Sequence, residues 1–348
     1  MKLSKKRKQM FVLTMGLLIM SAIGILIYMD YQEKLKADQE TITIGYLSDN
    51  LVIERWQRDQ EIFRANATKQ GAEVLVYNAN ENNATQIQQI QLLIEKEVDV
   101  IVVVPYDRDG LSEIIKEARQ AGIKVIAYDR LIRNVEIDAY ISFDNVKVGE
   151  LMADELLEHV PKGNYVIING SPDDNNSYMF NEGYMNVLSS EIEKGNIDII
   201  EEIYADDWRE EPAYDLIARL LDEGQQIDAI IGANDRLAEA AIRALAEEGL
   251  AGKVFVAGHD ADISACQRIV EGTQHMTVYK PIRTLAEAAV NLAIQFAKNE
   301  EPLVQQTIYN GQADIPYIRL DVLSVTQETL DETVIEDGFH RREDVYRE

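Results

Sequence analysis

Three observations predict an α/β protein of two lobes, each a parallel sheet flanked by helices. The chain has 348 residues, beyond the ~250–300 at which a single hydrophobic core stops growing. Apolar runs of strand length alternate with amphipathic helical stretches, the order that builds a parallel sheet. Midway along the chain the alternation starts afresh, which implies two successive units of similar size rather than one long sheet.

In the first unit the order is "ITIGYL", a helix through "ERWQRDQEIFRANATKQG", "EVLVYNA", a helix through "TQIQQIQLLIEK", "VDVIVVVP", a helix ending "EARQAG", and "KVIAYDR". A shorter strand, "AYISFD", follows. "EVLVYN" and "VDVIVVVP" are almost continuously apolar, as strands covered on both faces are. Gly71 and Gly122 stand just past helices, where a left-handed cap is wanted. The second unit reads "NYVIIN", a helix after "SPDDNNSYMFNEGY", "IDIIEEIYA", a helix from "PAYDLIARLLDEG", "IDAIIGAN", a helix through "RLAEAAIRALAEEG", "KVFVAGHD" and a helix to "RIVEG". After "HMTVYKP" come one more helix, "IRTLAEAAVNLAIQFAKN", and a less regular tail, an order that points to a chain recrossing between lobes.

The N-terminus reads differently. Lys2, Lys5, Lys6, Arg7 and Lys8 precede an uncharged run from Met10 to Met29, "MFVLTMGLLIMSAIGILIYM", close to the ~20 apolar residues that span a bilayer. A cleaved signal peptide has a shorter apolar core and a small-residue cleavage site, whereas this run ends "IYMDYQEK". No cysteine follows, so no lipid anchor is expected there. The expectation is a cytoplasmic basic segment at 1–9, a retained transmembrane anchor at 10–29, a linker at 30–40 and a body outside the cell membrane.

A formal net charge of -27 makes nucleic acid and anionic lipid poor partners for the body. The single cysteine, Cys266, has no partner for an internal disulfide, and four scattered histidines show no metal-ligand spacing, so neither metal nor cofactor is expected. No glycine-rich phosphate loop, nucleophile elbow or His-Glu-x-x-His motif occurs, and the chain does not read as an enzyme.

What recurs is a polar or aromatic group beyond each apolar strand. Arg55 and Trp56 follow the first; Asp129 and Arg130 end "KVIAYDR"; Asp174 and Asn176 follow "NYVIIN"; Trp208 follows "IDIIEEIYA". Asn234 ends "IIGAN", Asp260 ends "VFVAGHD" and Lys280 ends "HMTVYK". Parallel strands bring their carboxyl ends to one sheet edge, so these groups converge on one crevice. Each also has an ordinary reading taken alone: a helix cap for Asp235, a surface ion pair for Asp129 with Arg130, an exposed turn for Lys280. Asp129, Asp174 and Asp260 against Arg55, Arg130 and Lys280 make a balanced set suited to a neutral ligand. Carboxylates and guanidinium groups offer paired hydrogen-bonding positions that match vicinal hydroxyls, and Trp56 and Trp208 offer faces for a sugar ring.

In these residues the chain resembles the type I periplasmic sugar-binding proteins, from about Ile42 to "DGFHRRED", through "ERWQ", "AYDR", "YISFDN", "GSPDDNN", "GAND", "GHDAD" and "MTVYKP" in order. The resemblance implies that the ten residues from Arg55 to Lys280 line a sugar pocket, and the members most alike imply D-xylose or a related monosaccharide. It implies lobes of 41–144 with 282–309 and of 145–281 with 310–348, joined by three crossovers near Asn145, Pro281 and Asn310 and closing by a hinge. An anchored body with almost no cytoplasmic part cannot signal alone. The expected partner is therefore a sensor histidine kinase of a two-component system, as for membrane-anchored relatives, with an ABC permease as the alternative.

Overall fold

The computed structural model describes residues 21, 23–25, 28, 29, 41–51, 54–304 and 306–347. Most of the expected anchor at 10–29, and all of 1–9 and 30–40, lie outside these residues. Those described before residue 30 are helical and exposed. Among the described residues, no helix is long and apolar enough to cross a membrane. Thr43–Glu348 form one compact unit, and the rest of the description concerns it.

The first lobe is built on β1 (Thr43–Ser48), which pairs in parallel with β2 (Glu73–Asn78) on one side and β3 (Val100–Val103) on the other. β4 (Lys124–Tyr128) and β5 (Ala139–Phe143) extend the sheet in parallel. Every residue of β3, "VIVV", is buried, as its β-branched, both-faces-apolar sequence requires. Helix α1 (Glu54–Lys69) follows β1, and Asn82 starts α2 (Asn83–Glu95) by accepting a hydrogen bond from Thr85 N at 2.8 Å. Helix α3 (Ser112–Gln120) lies between β3 and β4 in sequence, and Gly122, just past its cap at Ala121, has the left-handed φ of 87° that its position calls for.

The second lobe has a four-stranded parallel sheet of β6 (Gly163–Asn169), β7 (Ile197–Tyr204), β8 (Ala229–Gly232) and β9 (Phe255–Ala257), in the order β7-β6-β8-β9. Helices α4 (Asn145–His159) and α5 (Asn175–Glu193) lie against each other. Two glycines make the approach possible: a Cβ on Gly149 would stand 2.1 Å from Phe180 O, and one on Gly183 would stand 2.1 Å from Val146 O. This packing holds the N-terminal end of α5 in place. Helices α6 (Glu211–Asp222), α7 (Asp235–Glu247) and α8 (Ile263–Glu271) complete the lobe. Each lobe has its own buried core, and a third, smaller cluster joins α8 to the C-terminal tail through Cys266, Ile269, Leu330, Val334 and Val345.

The chain passes between lobes at Asp144, between β5 and α4, and again after β10 (Thr277–Tyr279), where α9 (Ile282–Ala297) returns to pack on α1, β3 and β4. The expected third change of lobe at Asn310 needs correction. β11 (Thr307–Tyr309) turns into β12 (Asp314–Leu320), and β12 pairs in parallel with β5, extending the first sheet to seven strands. Asn310 is bound within the first lobe, its side chain donating to Ile132 O at 3.0 Å and Val135 O at 2.6 Å. The crossing falls at Asp321 and Val322, before β13 (Leu323–Val325) joins β10 antiparallel. Pro316 and the charged residues of "DIPYIRL" hide this strand from periodicity, and only pairing with the free edge of β5 reveals it.

Candidate functional site

All ten residues expected at the site line one small cavity between the lobes, of about 30 Å³. The sheets explain why. Arg55 and Trp56 stand in the first turn of α1, Asp129 and Arg130 just past β4, and Lys280 just past β10. Asp174 and Asn176 open α5 after β6, Trp208 follows β7, Asn234 follows β8 and Asp260 follows β9. Carboxyl ends of parallel strands from both lobes thus face each other.

Three residues of the cavity have strained backbones. Asp129 has φ 64°, Trp208 φ 58° and Asp260 φ 100°, conformations that L-residues rarely take and that cost about 1–3 kcal/mol each unless their surroundings hold them. Asp129 is held from several sides. Its N–H donates to Ile141 O at 2.8 Å, and its carbonyl accepts from Ser142 Oγ at 2.6 Å, Tyr140 Oη at 2.9 Å and Asn176 Nδ2 at 3.2 Å. Trp208 leans on Gly170, where a Cβ would stand 2.1 Å from its Cη2.

The charges form a web. Arg55 donates to Asp129 Oδ2, its Nη1 lies 3.3 Å from Asp260 Oδ1, and its Nε lies 3.4 Å from Asp59 Oδ2. Arg130 reaches Asp49 Oδ2 through Nη1 and Asp174 Oδ2 through Nε, both at 2.7 Å. Lys280 Nζ lies 3.1 Å from Asp260 Oδ1. The guanidinium carbons of Arg55 and Arg130 are 4.6 and 5.6 Å from the Trp56 ring centroid, so one indole steadies both cations. Buried ions are tolerable only when paired in this way.

Burial pushes Asp260 toward the neutral form, but Lys280, His259 and Arg55 outweigh it and hold the carboxyl well below its usual range. Burial, reinforced by Lys280, lowers His259 to about 4, so the ring is neutral at neutral pH. For Asp49 and Asp174 burial outweighs the attraction of Arg130, and both are raised. Asp59 is raised to about 7, its burial outweighing Arg55 and the hydrogen bond from Tyr128 Oη.

The ordinary readings resolve individually. Asp129 and Arg130 are buried and pair with other residues, not with each other. Lys280 is 3% exposed, no turn residue open to water. The cap expected of Asp235 belongs to Asn234, which accepts from Leu237 N at 2.9 Å, while Asp235 is buried against Gln274 and Thr277. Asp174 likewise caps α5, accepting from Asn176 N at 2.9 Å.

Four residues escaped the sequence reading. Phe180 and His259 line the cavity, and Asp49 and Asp59 brace Arg130 and Arg55. Asp59 stands one helical turn from Arg55 and Phe180 one turn from Asn176, spacings that bring side chains together; His259 adjoins Asp260.

Residues 44–301 match the family profile described as periplasmic binding protein domain. The chain is 43% identical over 311 residues to the D-xylose-binding periplasmic protein of Haemophilus influenzae, covering 89% of this chain and 94% of that protein. It is 44% identical over 310 residues to the protein of the same description from Escherichia coli, with coverage of 89% and 94%. A solved carbohydrate transporter solute binding protein from Chloroflexus aurantiacus, in complex with D-glucose, superposes with a TM-score of 0.82 at 27% identity, covering 88% of this chain and 98% of that one. The chain therefore belongs to the periplasmic binding proteins, with their type I fold of two α/β lobes, and is a solute receptor rather than an enzyme.

Proposed function

We propose that this receptor binds D-xylose or a closely related monosaccharide between its lobes and delivers it to the permease of an ABC importer. The observation that carries the reading is the shared cavity, where a balanced web of carboxylates and cations stands beside two tryptophans. Arg55, Asp129, Arg130, Asp174, Asn176, Asn234, Asp260 and Lys280 hold the hydroxyls; Trp56 and Trp208 cover the apolar faces of the ring. Charge-assisted hydrogen bonds of this kind are roughly twice as strong as neutral ones, which offsets the desolvation of a polyol. Closure of the lobes on the sugar gives the permease a shape to read. Two relatives are D-xylose-binding periplasmic proteins and the solved structure is a carbohydrate transporter solute binding protein, which supports this role.

A sensory role with a histidine kinase is the second reading. It draws on the uncharged run from Met10 to Met29 and its preceding basic residues, which favour a tether that keeps the receptor at the cell membrane. Calorimetric titration with D-xylose, D-ribose, L-arabinose and D-glucose tests the binding claim: selective binding of xylose is expected, and no binding of any of the four would refute it. Cross-linking in sugar-loaded membranes separates the partners, a permease adduct supporting import and a kinase adduct the sensory role. Release of the chain from membranes by high salt alone would exclude the tether.

A further inference from the structure

We propose that His259 Nε2 accepts a hydrogen bond from one hydroxyl of the bound sugar and thereby makes His259 a specificity-determining residue of the cavity. The inference rests on the sugar-binding reading above and goes beyond it in assigning a contact to a residue outside the ten expected ones.

His259 is 2% exposed and lines the cavity beside Asp260. Its ring lies against Phe180, with centroids 4.5 Å apart, and edge-on to Trp208 at 6.3 Å. Nδ1 is 3.2 Å from Asp260 Oδ1, within ion-pair reach, and neither ring nitrogen has a hydrogen-bond partner among the described residues. Asp260 is ionised and can only accept, so the ring proton belongs on Nδ1, facing it. Nε2 is then an acceptor with its lone pair unmet, and a buried polar atom in that state carries a desolvation penalty. Burial, aided by the nearby cations Lys280 and Arg55, keeps the imidazole neutral and so preserves the lone pair.

Trp208 Nε1 is also buried in the cavity wall without a hydrogen-bond partner, but it can only donate. Arg55, Arg130, Lys280, Asp129, Asp174 and Asp260 all have protein partners. A hydroxyl that donates to Nε2 would complete the His259 ring, and a sugar that lacks a hydroxyl there would leave it unmet. Sites built to bond a hydroxyl reject analogues without it far more strongly than apolar walls reject a misfit.

The test is calorimetric titration of the full chain and three variants with D-xylose and its monodeoxy analogues. His259→Gln places an amide where Nε2 stands, His259→Asn places one where Nδ1 stands, and His259→Phe keeps only the ring. Expected are an affinity loss of about ten-fold or more in the Phe and Asn variants and under about three-fold in the Gln variant. One deoxy sugar should bind wild type about ten-fold worse than xylose yet bind the Phe variant no worse than xylose does. Should the Phe variant fail to fold, comparison of Gln with Asn on the same sugars decides. Wild-type affinity in the Phe variant, or equal losses in all three with an unchanged ranking of deoxy sugars, would reduce His259 to a packing residue and overturn the proposal. Absence of xylose binding by wild type is a separate result that overturns the sugar-binding reading itself, and this inference with it.

Discussion

Arg55 Nη1 and Asp260 Oδ1 stand 3.3 Å apart across the two lobes, one at the start of a helix in the first and the other beyond a strand of the second. The same Asp260 oxygen is 3.1 Å from Lys280 Nζ. One carboxylate thus neutralises a cation from each side of the cavity and ties the lobes together when they are closed.

Asp260→Asn keeps the shape and removes the charge. Leaving a buried cation without its partner costs about 3–5 kcal/mol, shared here between sugar affinity and closure. We expect D-xylose affinity to fall at least about a hundred-fold with the fold retained, since 1.4 kcal/mol is a factor of ten. Undiminished affinity in a folded variant would remove Asp260 from the site.

A second link between the lobes joins Tyr106, whose hydroxyl donates to Asp207 Oδ1 at 2.6 Å, while Arg108 N donates to Asp173 O at 2.9 Å. Tyr106→Phe removes one hydrogen bond worth about 0.5–1.5 kcal/mol that exists only with the lobes closed. Sugar release should quicken by about two- to ten-fold with little change in thermal stability. Stopped-flow fluorescence can follow it, because Trp56 and Trp208 are the only tryptophans and both line the cavity. An unaltered release rate would show that this contact does not hold the closed form.

Gly170→Ala addresses the wall of the cavity. Its Cβ would fall 2.1 Å from Trp208 Cη2, inside any tolerable contact, so the indole must shift. The expected result is loss of most sugar affinity, with destabilisation of about 1–3 kcal/mol, as for other overpacked sites. Affinity within two-fold of wild type would argue against a sugar-facing role for Trp208.

Asp59 supplies a pH dependence of stability. Its folded value of about 7 lies above the ~3.9 of an unfolded Asp. The folded state therefore holds the extra proton between these values, and the stabilisation is complete below pH ~4 and lost as pH rises toward 7. The total is of the order of 4 kcal/mol, at 1.36 kcal/mol per unit. Urea unfolding of wild type and Asp59→Asn at pH 4, 5.5, 7 and 8.5 should show wild type losing ground to the variant across that window. Parallel profiles would mean that Arg55 keeps Asp59 ionised throughout.

Much of the site was legible because its logic is local. A parallel strand announces itself by a short apolar run, and whatever follows the run lies at the carboxyl edge of the sheet. Arg55, Asp129, Asn234 and Lys280 could be assigned to one crevice on that ground, without knowledge of the other lobe. The third crossing, at Asp321 and Val322 rather than Asn310, was not legible, because β12 is weakly patterned and is defined by the strand it joins. The cap at α7 was misplaced by one residue for a related reason: Asn234 and Asp235 are both good caps, and burial of Asp235 against Gln274 and Thr277 chose between them.

The sequence by itself determined the alternation of strands and helices, the two units and the set of polar groups at strand ends, because each depends on residues within one turn or one strand of each other. Only the tertiary structure decided which charges pair. Arg55 meets Asp260, 205 residues away, and Arg130 meets Asp49 and Asp174 rather than its neighbour Asp129. Ion pairing, burial and the lowered basicity of His259 depend on what packing brings within a few ångströms, and no pattern along the chain carries that distance.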